Sequence, residues 1–392
     1  MSKGCSAVRL IIVAASLLSH VLCLNIILNN DDGFTSVHIR ELYRALNAAG
    51  HNAWIAAPAY DQSGRGGTLS FTSKANLTSA SDADVIPKGA ASYGHDPSDP
   101  KIWYYDGTPV TCTLFALDYL APTHMGIAAP DLVITGPNFG TNPGPFMYTM
   151  SGTMGAAYSA IGRGVPALAL SADSYGPGRN FKGLVAHTQS GWPDPATIIA
   201  NLSTTLVNQL AAGSKPLLPP GYGLTVNYPK VTSLKDTGCL YPPFIRTRLT
   251  GGAPIQKAIF DPKTGLFRGA DTIPATGVGV NTCNVGNCTL PGETNVVNNG
   301  QCQTSVSVFV VDYDAPDNPA TQGVDSRLGN LVTGENEARN YSAASVGAPP
   351  EQPAVSAAAS TTPPAVKSGA GTNLPQHLRV LAAVGSVLGV LH

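Results

Sequence analysis

Two short apolar runs, at residues 25–30 and 52–58, flank a single amphipathic stretch, and this spacing restricts the fold more than any other feature. Between them, SVHIRELYRALNAAGH puts Ile39, Leu42, Tyr43 and Leu46 on one helical face, with Ser36 as N-cap and Gly50 as the stop. Strand, helix and strand in close succession form a β-α-β unit, which joins parallel strands through a right-handed crossover. The pattern recurs downstream. PDLVITGPNFG supplies a strand at 131–135 and a glycine-rich loop, SGTMGAAYSAIGRG a helix, and VPALALS another strand. A doubly wound, mostly parallel α/β core over about 24–175 is expected.

Residues 176–315 are less regular. GYGLTVNYP and TSVSVFVVDYDAP read as further strands joined by long loops, so one domain is expected over 24–315. Residues 316–368, rich in Ser, Ala, Pro and Thr, have too little apolar bulk for a core and read as a disordered stalk.

The ends of the chain carry export signals. Residues 1–23 combine Lys3 and Arg9, an apolar stretch over Leu10–Leu18, and a modest-sized Val21 and Cys23, the pattern of a secretory signal peptide. Ser368, Gly369 and Ala370, a polar spacer and an apolar tail from Val380 to Leu391 match a glycosylphosphatidylinositol anchor signal over 369–392. The expectation is a secreted or surface protein that touches the membrane only through a lipid. Sequons at Asn76, Asn201, Asn287 and Asn340 point the same way. Cys239, Cys283, Cys288 and Cys302 are disulfide candidates with three connectivities open, and Cys112 is expected as a buried free thiol.

In open parallel sheets, ligands bind beyond the carboxyl ends of the strands. Three polar loops emerge there: Asp31 and Asp32 after the first strand, Asp61-Gln62-Ser63-Gly64 after the second, and Asn138 after the strand at 131–135. Carboxylate, hydroxyl and amide oxygens suit magnesium, manganese or calcium better than zinc or copper. A divalent cation would also remove the repulsion between adjacent carboxylates. On its own, Asp-Asp-Gly is a common turn; three such loops in one position make the metal reading. Ser151, Gly152 and Thr153 open a helix whose free N–H groups and dipole favour an anion such as phosphate, although ordinary capping by Ser or Thr is as common. Only 12% of residues are charged and the net charge is −1, which excludes a nucleic-acid polymer as partner. Walker, zincin, nucleophile-elbow and dinucleotide motifs are absent from the sequence.

At these positions the chain resembles the SurE-like phosphatases and nucleotidases. The matching pieces are ILNNDDG, APAYDQSG, DGTPVTCTLFAL, PDLVITGPNFGTNPG, SGTMGAAYSAI and GVPALALS, in order over roughly 25–171. The resemblance implies a Rossmann-like fold, a cation on Asp31, Asp32, Ser63 and Asn138, a phosphomonoester or nucleoside monophosphate substrate, and a homodimer. Asp31, Asp32, Ser151, Gly152 and Thr153 are then the catalytic candidates, and Arg65 and Asn142 candidates for substrate contact. Pro145 and Phe146 replace acidic residues usual in bacterial relatives, and Met150 replaces a tyrosine, departures that bear on substrate preference. Two competing readings are a catalytically inert, anchored ligand-binding protein and a Rossmann-type glycosyltransferase.

Overall fold

The computed structural model describes residues 22–173, 179–249, 256–271, 289–298 and 300–333. Most of the expected signal peptide, most of the stalk, the anchor signal, Cys283, Cys288, Asn287 and Asn340 lie outside the described residues.

The first unit is as the periodicity predicts: β1 (Asn25–Asn29), α1 (Val37–Ala48) and β2 (Asn52–Pro58). Ile39, Leu42 and Leu46 are fully buried on the inner face of α1. Ser36 sits at the N-cap position, but its hydroxyl makes no cap bond and is buried without a partner. The backbone of Ser36 instead bridges to Asn180, which draws the residue inward. Next come β3 (Tyr93–Asp96) and β4 (Asp99–Tyr105), then α2 (Pro109–Phe115), which runs on into a π-helical stretch at Ala116–Met125. The central part continues with β5 (Leu132–Phe139), α3 (Gly144–Met150), α4 (Gly152–Gly162), β6 (Ala167–Ala172), α5 (Pro195–Ala211) and β7 (Tyr222–Tyr228).

Six of these strands are parallel and lie in the order β4-β2-β1-β5-β6-β7. Counted along the chain this is 3-2-1-4-5-6, the doubly wound order, and the winding reverses between β1 and β5. Continuous apolar runs are explained by cover on both faces. Ile26 and Leu28 of β1 pack with residues of α1 and α5, whereas Ile27 between them packs with residues of α2 and α4.

Beyond β7 the sheet is extended by β8 (Phe244–Thr247), β11 (Thr304–Val310), β12 (Tyr313–Asp314) and β13 (Val332–Thr333), with β11 antiparallel to β7. A separate hairpin, β9 (Gln256–Asp261) with β10 (Leu266–Asp271), and α6 (Glu293–Asn298) fall between β8 and β11. Cys239 and Cys302 form a disulfide just ahead of β8 and β11, one bridge within the expected candidate set. Cys112 is buried and free, as expected. Asn76 is exposed in a loop, and Asn201 is half-buried within α5.

The boundary expected at residue 315 moves outward. α7 (Pro319–Leu328) buries Thr321, Val324 and Leu328 against α5, and β13 pairs with β8. Low apolar content hid this helix. Three buried positions at helical spacing, with Asn318 accepting from the Thr321 N–H at 3.0 Å, are enough to hold it on a surface already built.

Candidate active site

The reversal between β1 and β5 is where an open parallel sheet offers a crevice. Asp31 and Asp32 follow β1, Asn138 lies at the end of β5, and the loop after β2 folds back over both. The Gln62 N–H donates to the Asp31 carbonyl at 2.7 Å, which brings Ser63 beside the first loop. Asp32 Oδ2 accepts from the Phe139 N–H at 3.1 Å, tying the end of β1 to the residue that follows Asn138. Two hydrogen bonds between segments far apart in sequence, one backbone to backbone and one from a backbone N–H to a carboxylate, thus join all three expected loops at one rim.

Each carboxylate is held differently. Thr153 donates twice to Asp31, its hydroxyl to Oδ1 at 2.8 Å and its N–H to Oδ2 at 3.2 Å. Asp31 is nearly sealed, whereas Asp32 keeps partial exposure at the rim. Burial pushes Asp31 up to about 6, with the charge of Asp61 adding to the effect and the Thr153 bonds opposing it. Asp32 is raised well above the carboxylate range, first by burial and then by the neighbouring charges of Asp31 and Asp61. Two adjacent carboxylates, one buried and one half-buried, with no ion-pair partner among the described residues are an electrostatic deficit.

The neutral donors suit that deficit. Asn138 spends its amide nitrogen on the carbonyls of Phe139 at 3.2 Å and Gly140 at 2.8 Å, which leaves Oδ1 as the atom facing away from them. Ser63 donates its hydroxyl to Asp61 Oδ1 at 2.7 Å and retains its lone pairs. Among the described residues no group of three or more His, Cys, Asp or Glu is placed to hold a metal ion. A cation here would need these neutral oxygens beside the two aspartates, which is the donor chemistry of magnesium, manganese or calcium rather than zinc.

Two expectations change, those for Thr153 and Asn142. Thr153 was expected to present its N–H to an anion, but both of its donors are committed to Asp31, so it positions the carboxylate. Ser151 caps α4, accepting from the Met154 N–H at 3.3 Å, and only its hydroxyl proton remains for a substrate. Asn142 was expected at the substrate. Its amide instead donates to Ser171 Oγ at 2.9 Å and its N–H to Asn227 Oδ1 at 2.7 Å, which makes it a strut beneath the glycine-rich loop. Arg65 is exposed on the loop after β2. That loop is clamped where Gly66 crosses the first turn of α4: a Cβ on Gly66 would collide with the Thr149 carbonyl, and one on Gly155 with the Gly66 carbonyl.

Some contributors escaped the sequence reading. Asn29 donates to the Pro109 carbonyl at 2.8 Å and to Thr113 at 3.0 Å, anchoring the root of the carboxylate loop to α2. Asp61 acts as a third negative charge near the pair. The doubled Asn of LNNDDG was a visible signal, but the partners of Asn29 lie about 80 residues on.

Gly152 yields a direct test. A Cβ there would lie 2.9 Å from Asp31 Cβ, 3.0 Å from Asp31 Oδ2 and 3.0 Å from Pro109 Cγ. Gly152→Ala is therefore expected to displace the Asp31 carboxylate and lower kcat/KM for a phosphate ester by about tenfold or more, since an ångström-scale misplacement is that costly. Steady-state kinetics beside a melting curve checks this, and unchanged turnover would show that the Asp31 placement does not matter.

Comparison with known proteins identifies the family. The family model described as survival protein SurE matches residues 26–248, more than half of the 392-residue chain. The chain is 41% identical over 296 residues to an acid phosphatase of Yarrowia lipolytica, covering 74% of this chain and 80% of that protein. It is 36% identical over 153 residues to the 5'-nucleotidase SurE of Desulfovibrio desulfuricans, spanning 39% of this chain and 51% of the bacterial protein. Among solved structures, the SurE protein from Aquifex aeolicus has a TM-score of 0.48 and 21% identity, over 77% of this chain and 98% of that one. By its matching model, its relatives and the motifs gathered at the switch point, this chain belongs to the SurE family.

Proposed function

We propose that this chain, a phosphoric monoester hydrolase, is a divalent-cation-dependent acid phosphatase or nucleotidase that acts outside the cell on nucleoside monophosphates or related phosphate esters. The observation that carries the reading is the Asp31–Asp32 pair at the β1/β5 reversal, raised by burial, with the loops of Ser63 and Asn138 tied to it by hydrogen bonds to the Asp31 carbonyl and the Asp32 carboxylate. These four residues would hold the cation. When bound, a divalent ion polarises a phosphate oxygen and makes a water more acidic.

The remaining work belongs to the chain. Thr153 fixes the rotamer of Asp31, so that this carboxylate meets the attacking water in one orientation and accepts its proton. Gly152 at the start of α4 offers a backbone N–H, and Ser151 a hydroxyl proton, to the equatorial phosphate oxygens. Arg65 supplies positive charge at the exposed lip of the site.

Several observations support the extracellular placement. The export-like termini and the sequons belong to the sequence, and the Cys239–Cys302 bridge fits an oxidising compartment. The test is phosphate release by the purified protein from a panel of nucleoside monophosphates and simple phosphate esters, with magnesium, manganese or EDTA. Release that EDTA abolishes and added cation restores is expected. Absence of release under every condition would favour the inert ligand-binding reading, and turnover of a sugar nucleotide without phosphate release the transferase one.

A further inference from the structure

The segment between Asn138 and Ser151 connects the neutral end of the candidate cation site to the start of α4, proposed above to take the phosphate. Its backbone is pinned by three side-chain acceptors. Asp32 takes the Phe139 N–H at 3.1 Å, Asn227 takes the Asn142 N–H at 2.7 Å, and Glu293 takes the Gly144 N–H at 2.6 Å. The third is unlike the others. The family match ends at residue 248, yet Glu293 lies 45 positions beyond it, in α6. It is fully buried, and its second oxygen accepts from Ser307 Oγ at 2.9 Å. Ser307 is in turn joined to Thr247 Oγ1 at 2.7 Å, so β8 and β11 brace the carboxyl from behind.

We propose that Glu293 is a positioning residue of this hydrolase: from outside the family match, it fixes Gly144 and thereby the placement of the glycine-rich loop between Asn138 and Ser151. Its own backbone is held for this task. The Glu293 N–H donates to the Arg248 carbonyl at 3.0 Å and the Arg248 N–H to the Pro291 carbonyl at 2.9 Å, which docks the start of α6 on the end of β8. The charged neighbours are Asp314, which adds repulsion, and Arg248, which pairs with Asp314 at 2.9 Å. Burial raises the Glu293 carboxyl to about 8, so near neutral pH a glutamine would match both its shape and its charge state. Gly144 opens α3, and an acceptor at that point satisfies one of the backbone donors that a helix start leaves free.

For its kinetic readout the inference rests on the hydrolase reading above; for its exchange readout it needs only the fold. Glu293→Gln keeps the reach and Glu293→Asp shortens it. In the full chain, Glu293→Asp is expected to lower kcat/KM for a nucleoside monophosphate by about 10- to 100-fold, the range for residues that orient a site from behind. It is also expected to speed amide hydrogen exchange over residues 140–150, while exchange in β1, β5 and β6 keeps the wild-type rate. Glu293→Gln is expected to stay within about twofold of wild type in both measurements near pH 7, since it conserves reach and neutrality.

Wild-type behaviour of Glu293→Asp in both readouts would overturn the proposal, and so would equal impairment of Glu293→Gln. Exchange that rises throughout the sheet, or failure of the Asp variant to fold, would assign Glu293 to global stability and overturn it as well. If the wild-type chain releases no phosphate, the hydrolase reading falls while the exchange result still decides whether Glu293 holds the loop.

Discussion

Asp32→Asn is expected to reduce cation-dependent kcat/KM by about 1,000-fold or more while raising the melting temperature of the metal-free protein near pH 7.5. Both effects come from one charge. A cation at the developing phosphate charge is worth several kcal/mol, and about 4 kcal/mol corresponds to three decades in rate. Asn loses that contribution because it brings no negative charge to the ion. It still presents an oxygen to the Phe139 N–H, so the tie to β5 survives. Without a cation, Asp32 suffers burial and the charges of Asp31 and Asp61, and the neutral amide removes those costs. Kinetics with added manganese and calorimetric melting in EDTA check the two halves. Undiminished turnover would end the case for the site, and a lower melting point would show that the pair is not strained when bare.

The second expectation concerns pH. Asp31 sits at about 6 when folded, above its ordinary 3.8, so the native chain binds that proton more tightly than the unfolded one. Its contribution is complete below about pH 4 and is lost as pH rises through 6, amounting to about 3 kcal/mol for a shift of roughly two units. A bound cation reverses this by favouring the ionised pair. Magnesium or manganese is therefore expected to raise the melting temperature at pH 7.5 by about 5 °C and to have little effect at pH 4.5, where protons compete for the same oxygens. Melting curves from pH 4 to 8 with cation or EDTA provide the measurement. Other buried groups titrate in this range, including Glu293, so the readout is the difference between cation and EDTA at each pH. Asp32→Asn should flatten that difference. An equal cation effect at both ends of the range would show that the ion binds elsewhere.

Much of the site was legible because it is built from local signals. The apolar run 25–29 is a strand in any context that covers both faces, and the aspartates follow it by covalent necessity. The same holds for Asn138 at the end of β5, and for Ser151 at a helix start. Where the chain departs from expectation, a distant partner decided. Thr153 lies 122 residues from Asp31, and two hydrogen bonds turned it from an anion donor into a clamp. Asn142 was drawn away from substrate by Ser171 and Asn227, 29 and 85 residues off. The helix at 319–328 formed on so few apolar residues because α5 already offered it a surface.

Sequence by itself therefore determined the doubly wound class, the polar loops at the ends of its strands and the oxygen-only character of their side chains, all of which follow from periodicity and residue type along a few turns of chain. The tertiary structure alone decided which donors remain free and which are consumed, how far each carboxylate is removed from water, and that Glu293 reaches back from outside the family match to Gly144. The reason is physical: hydrogen-bond partners and desolvation depend on which segments a sheet register brings together, and no local pattern records a contact across 149 residues.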